Sequence, residues 1–252
     1  MIRAALLLAM ATTNGAIEVR YVACPIYRDT DNGRKSGCWL VDNPADGIRY
    51  DVTGAPTKPD WNHAVLVEGV SRSDAGNPCG GTVLDPVRVS VLEAPCTRHM
   101  LAAEGFSGRR FALPERNVRP LYEERTKPGK PFSEGRFTIP FDYNSSFITY
   151  QLADYYIDAM VNYALDVQPA RIAVVGHADT MSTIVSGETL AEPASLASTR
   201  ADLVRKALIM RGVPADRITV ATASGGAPLV PAAFDGLSGP VERRVDIRIV
   251  PD

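Results

Sequence analysis

The hydrophobic period of this chain changes once along its length, and each period suits only one kind of element. From residue 17 to 112, apolar residues gather in short β-type runs such as Ala64-Val65-Leu66-Val67 and Val87-Arg88-Val89-Ser90-Val91, set apart by Gly, Pro, Asn and Asp. No stretch of useful length there repeats every three or four residues. The expectation is a small all-β domain, with its strand edges hidden in a small barrel or sandwich. Residues 113–135 hold four prolines and many charges without apolar period, which reads as a linker or an extended connection.

Beyond residue 136 strands and helices alternate, the pattern of an α+β module. Phe137, Ile139 and Phe141 alternate as a strand. Ile148, Leu152, Tyr155, Tyr156, Ala159, Met160 and Tyr163 then recur at steps of three and four, the stripe of a helix packed on a sheet. Residues 171–175 form a second strand that runs into Gly176-His177-Ala178-Asp179. A second helix carries Leu196, Leu203, Val204, Ala207 and Leu208 on one face and stops at Gly212 and Pro214. Residues 217–221 and 244–249 supply two more strands.

Several segments bear on compartment and partners. Arg3 precedes an apolar stretch, residues 4–11, too short to span a bilayer, which reads as an export signal over residues 1–16; a buried N-terminal strand or helix is the alternative. No other segment is long and apolar enough for a membrane helix. Cys24, Cys38, Cys79 and Cys96 all fall in the first hundred residues, an even number that suits two disulfides in an oxidising compartment. Of three possible connectivities, short loops favour Cys24 with Cys38 and Cys79 with Cys96. Their irregular spacing, with no C-x-x-C pair, disfavours zinc. Asp29-Thr30-Asp31-Asn32-Gly33 misplaces the glycine of a calcium loop, and Asn-Gly instead predicts a hairpin turn. With 27 basic against 29 acidic side chains, no positive field gathers the protein onto nucleic acid or anionic lipid.

One residue breaks the second helix. Arg200 lies four after Leu196 and three before Leu203, inside the apolar stripe. A guanidinium there is costly to desolvate without an anion. Asp179 is the natural partner, either as an internal ion pair or as the second half of a clamp. In a clamp, the carboxylate of Asp179 would take an ammonium and the fork of Arg200 a carboxylate.

The order Phe141-Asp142, Gly176-His177-Ala178-Asp179, Leu196-Ala197-Ser198-Thr199-Arg200-Ala201 and Arg243-Arg244-Val245 resembles the OmpA-like peptidoglycan-binding domain over residues 136–252. The resemblance implies a βαβαββ sandwich that binds the diaminopimelate of the peptidoglycan stem peptide, with Asp179 and Arg200 as clamps. It also brings in Asp142 and Thr180 as lesser ligand contacts, makes His177 a framework residue, and implies no cofactor and no metal. The implied setting is the periplasm or the outer membrane of a Gram-negative envelope. The pattern departs from the family at Pro193, where an asparagine is usual, at Ala197, where a serine is usual, and in a longer segment between Asp179 and Arg200.

Two other classes compete with wall binding. A hydrolase could draw Ser182 or Ser186 to His177 and Asp179, yet the chain has three histidines and neither an H-E-x-x-H nor a G-x-S-x-G segment. An interaction scaffold would bind an envelope protein through the N-terminal β domain and keep an OmpA-like domain with lost or altered ligand binding. The expectation is a binding protein and not an enzyme.

Overall fold

A computed structural model describes residues 17–31, 37–103, 105–109, 118 and 125–252. The export-signal segment, the Asn32-Gly33 turn and most of residues 113–124 lie outside the described residues. No helix among the described residues is long and apolar enough to cross a membrane.

Residues 17–103 hold β1 (Glu18–Ala23), β2 (Pro25–Arg28), β3 (Cys38–Asp42), β4 (Arg49–Asp51), β5 (His63–Arg72), β6 (Thr82–Pro95) and β7 (His99–Leu101). They form one sheet in the order β1-β5-β6-β4-β3-β2-β7. The ladder has two ends, β1 and β7, so hydrogen bonding does not close it into a barrel.

The period of two assigns the two faces of this sheet. On one face Val19, Tyr21, Val65, Val67, Val87 and Val89 join Val41, Tyr50 and Val52 in a core of the region's own. The even-numbered residues 20–22 of β1, 64–68 of β5 and 88–92 of β6 point the other way, toward the C-terminal region, whereas Leu84, on the far side of the register shift at Gly69–Ser71, joins the first core. Val22, Ala64, Leu66 and Leu92 pack there with Tyr143, Val185 and Leu190. The backbone N–H of Tyr143 donates to the Ser90 hydroxyl at 2.8 Å, and Arg88 donates to the Ala233 carbonyl at 3.1 Å. Glu68 accepts from Arg243, and Glu18 accepts from Ser238. A polar and apolar seam therefore joins the two sheets.

The disulfides correct the expected connectivity: they are Cys24–Cys96 and Cys38–Cys79, closing 72 and 41 residues. Sheet order overrides loop length. β1 and β6 flank β5, with Ala23 opposite Val65 and Pro95 opposite His63, so Cys24 and Cys96 arrive at the same end of that strand.

The C-terminal region contains β8 (Gly135–Pro140), α1 (Tyr155–Val167), β9 (Arg171–Gly176), the hairpin β10 (Thr183–Val185) and β11 (Glu188–Leu190), α2 (Ser195–Met210), β12 (Ile218–Thr222) and β13 (Arg244–Val250). The sheet order is β12-β9-β13-β8, with β12 and β9 parallel and the other pairs antiparallel. Met160, Val161, Ala164 and Val167 of α1 and Ala201, Val204 and Leu208 of α2 close the core against Ile139, Ile172, Val174 and Ile247. Gly176 is needed where β9 meets α2, since a Cβ there would stand 1.9 Å from the Ala197 carbonyl oxygen. Before β8 the chain lies against α1, with Arg125 paired to Asp166 and Phe132 packed on the core.

Candidate functional site

The elements that bound the site are the end of β8, the end of β9, the hairpin β10–β11 and the first turns of α2. In α2 the buried residues are Ala197, Arg200, Ala201, Val204 and Leu208, so Arg200 stands in the apolar stripe as its spacing implies. Its exposure is 0%.

Arg200 takes its anion from Glu192 and not from Asp179. Nη1 donates to Glu192 Oε2 at 2.8 Å and Nη2 to Oε1 at 2.6 Å, a two-pronged guanidinium–carboxylate contact. The remaining N–H groups donate to the carbonyls of Ser145 (2.9 Å), His177 (3.0 Å) and Asp142 (3.2 Å). Five hydrogen bonds thus match the five donors of a guanidinium. The Phe141 ring lies 5.3 Å beneath it.

The carboxylate of Glu192 is equally saturated. Besides the two prongs, Oε1 accepts the backbone N–H of Asn144 at 2.7 Å and Oε2 that of Asp179 at 2.8 Å. One arginine fork and two backbone amides therefore make a cradle for a single carboxylate, and Glu192 fills it. Its own N–H donates to the Asp179 carbonyl at 2.7 Å, which fixes the segment in register.

Asp179 turns its side chain to the other sheet. Its Oδ2 lies 3.5 Å from Nη2 of Arg20 on β1, and its side chain is 13% exposed. Burial pushes its carboxyl up; Arg243 and Arg20 oppose this, while Glu192 and Glu68 add to it. Arg20 also stands 3.2 Å from Glu68 and borders an open cleft of ≈370 Å³ with Tyr21, Asn43, Pro44 and Ser186.

The other expected contacts separate. Asp142 is buried, and its Oδ2 accepts from the hydroxyls of Thr57 (2.6 Å) and Thr149 (3.2 Å). Only its backbone carbonyl reaches Arg200. Thr180 is exposed, and its N–H donates to the Ala178 carbonyl. His177 has a framework position: its Nε2 lies 3.3 Å from Asp246, which Arg244 and Thr138 also contact. His177 faces Asp246 and not Asp179, and the Ser186 hydroxyl accepts the Val22 N–H at 3.0 Å, so His177, Asp179 and Ser186 do not line up as a triad. Among the described residues no cluster of His, Cys, Asp and Glu could hold a metal.

Sequence reasoning missed Glu192, Arg20 and Glu68. Glu68 did carry a signal, the one Arg200 gives: a charge on the same strand face as Ala64 and Leu66. Glu192 is one of two acids between Asp179 and Arg200, and nothing local separates it from Glu188.

No family model matches the chain, and no curated protein matches it. Several solved structures are similar to it. One is the OmpA-like domain of FopA1 from Francisella tularensis subsp. tularensis SCHU S4, at 20% identity over 47% of this chain and 73% of that chain, with TM-score 0.35. Another is the cell wall anchor of the T6SS from Pseudomonas aeruginosa, at 20% identity over 47% and 82%, with TM-score 0.34. A third is the C-terminal domain of Helicobacter pylori MotB, at 24% identity over 46% and 84%, with TM-score 0.32. OmpA-like domains are thus among the structures to which about half of this chain is similar.

Proposed function

We propose that this chain is an exported, non-enzymatic envelope protein whose C-terminal domain holds peptidoglycan without a covalent bond, through the diaminopimelate of a stem peptide. The observation that carries the reading is the cradle: a guanidinium fork and two backbone amides converge on one carboxylate, with the carboxylate of Asp179 on the same loop that supplies one of those amides. The free end of diaminopimelate bears one ammonium and one carboxylate, so a receptor for it needs paired opposite charges. Arg200 supplies the first half and Asp179 the second, with the Asn144 N–H as an added donor; Asp142 and Thr180 serve the loop more than the ligand. The two disulfides suit an oxidising compartment such as the periplasm.

The test is co-sedimentation with purified diaminopimelate-type sacculi. The protein is expected in the pellet, released by free diaminopimelate, and Arg200→Ala or Asp179→Ala should abolish retention. Retention that neither substitution alters would overturn the site, and no retention by any form would overturn the function.

A second reading rests on the saturation of Arg200, which has no donor left for an outside group. On that reading the OmpA-like domain has lost its ligand and serves as a scaffold, with the N-terminal β domain binding an envelope protein. Stable capture of one envelope protein by the full chain, with no retention on sacculi, would favour it.

A further inference from the structure

We infer that Glu192 and Arg20 are tethered stand-ins for the two charges of the ligand, and that the clamp is a receptor held shut by the hairpin β10–β11 and the N-terminal sheet. The inference rests on the wall-binding reading and adds to it a gate.

The two internal charges have the signs and places a zwitterion needs. Glu192 gives its carboxylate to Arg200 and to the amides of Asn144 and Asp179, where a ligand carboxylate would lie. Arg20 sets its guanidinium 3.5 Å from the carboxylate of Asp179, where a ligand ammonium would lie. The anion comes from the C-terminal region itself and the cation from the N-terminal sheet, so the closed state needs both regions docked.

The hairpin that leads to Glu192 has little backbone pairing of its own, so the hydrogen bonds of Glu192 itself and the packing beneath the hairpin keep it in place. β10 and β11 have three residues each and pair only with each other. A lone hairpin of that size is marginal in water. Its turn is the pair Ser186–Gly187, both at positive φ (52° and 85°), which suits a two-residue hairpin. The packing is at the seam: Val185 and Leu190 lie on Val22, Ala64 and Leu66, and Ser186 accepts the N–H of Val22. On its outer side Ile184 is 79% exposed and neighbouring Met181 75%. Lifting the hairpin off the seam removes Glu192 from the cradle, and because Arg20 and the hairpin's Ser186 both line the open cleft, the same movement uncovers Arg20, the cation that stands 3.5 Å from Asp179.

A receptor that opens only part of the time binds more weakly in proportion to its open fraction. With an open form populated at about 1–10%, apparent affinity falls by roughly ten- to a hundredfold.

The experiment compares the full chain with Glu192→Ala, Arg20→Gln and the double variant Glu192→Ala/Arg200→Ala in sedimentation with diaminopimelate-type sacculi. Glu192→Ala should bind about tenfold tighter or more than the unaltered chain. Arg20→Gln should bind a few-fold tighter, free diaminopimelate should compete in both cases, and the double variant should lose the gain. Equal affinity of the unaltered chain and both single variants overturns the gate and leaves anchoring intact. Absence of binding by every form overturns anchoring and the gate with it. Should Glu192→Ala fail to fold, Arg20→Gln decides alone, since that side chain is 27% exposed and the Arg200–Glu192 pair stays whole: an unchanged affinity overturns the gate.

Discussion

The seam between the two sheets and the cradle around Arg200 are built from the same unit, a buried guanidinium on a buried carboxylate. They differ in how stiffly the carboxylate is carried. At the seam Glu68 stands within β5, a ten-residue strand paired on one side to β1 and on the other to β6. Its partner Arg243 comes from 175 residues further along the chain. In the cradle Glu192 stands eight residues before Arg200, on an irregular stretch after a three-residue strand. A charge fixed in a ladder can only weld, because moving it breaks backbone hydrogen bonds on both sides. A charge on a short hairpin can be exchanged for another of the same sign.

The largest expected effect tests the weld. Glu68→Ala leaves Arg243, 1% exposed, without its anion and removes the second carboxylate near Arg20. Breaking a buried pair by removing one partner costs about 3–5 kcal/mol. Urea unfolding followed by the fluorescence of Trp39 and Trp61 should show the loss as a lower midpoint. A loss smaller than that of Glu192→Ala would break the comparison, because the stiff site would then matter less than the movable one.

Glu192→Ala should cost less, near the lower end of that range at about 3 kcal/mol, since Arg200 keeps three backbone carbonyls and the loosened segment admits water or an anion. Acetate should then raise the melting temperature of this variant by filling the empty place in the cradle. The same acetate should do nothing for Glu68→Ala, whose missing carboxylate lies buried between the two sheets. Rescue of both, or of neither, would mean that the two sites are equally stiff.

How much of this was legible beforehand follows from the range of each interaction. The alternation of strand and helix after residue 136 and the charge at Arg200 inside the face of α2 are local, and the structure has both, although the buried face of α2 turns toward Ala197, Arg200 and Ala201 and shares only Val204 and Leu208 with the expected stripe. The glycine of Gly176-His177-Ala178-Asp179 also has a local reason, the close pass of α2. The disulfides were misread because loop length is a local argument, whereas the sheet order β1-β5-β6 that sets the pairing is not. Asp179 drew attention as the acid beside Arg200, yet its cation comes from β1, 159 positions earlier by residue number (179 − 20). The hairpin β10–β11 went unread because three-residue strands give too few alternations to count.

The smallest effect separates two buried carboxylates near the cradle by the sign of their pH dependence. Asp246 is held down at about 2, since hydrogen bonds from His177, Thr138, Arg244 and the Leu229 N–H outweigh its burial. Its folded value is below the ordinary carboxylate range. The stability it gives is therefore present at neutral pH and lost as pH falls from about 4 through about 2. Asp142 has the opposite sign: burial pushes its carboxyl up, against hydrogen bonds from Thr57 and Thr149 and the fields of Arg88 and Arg243. Its charge costs stability at neutral pH, and that cost fades as pH falls through the raised value toward the ordinary one. Asp142→Asn should thus change stability at pH 7 by less than about 1 kcal/mol, in the stabilising direction. Its advantage over the unaltered chain should shrink in urea titrations repeated toward about pH 4. A clear destabilisation at pH 7 would mean that the bond from Thr57 requires the charge, and would make Asp142 part of the seam's weld instead of a spectator beside the cradle.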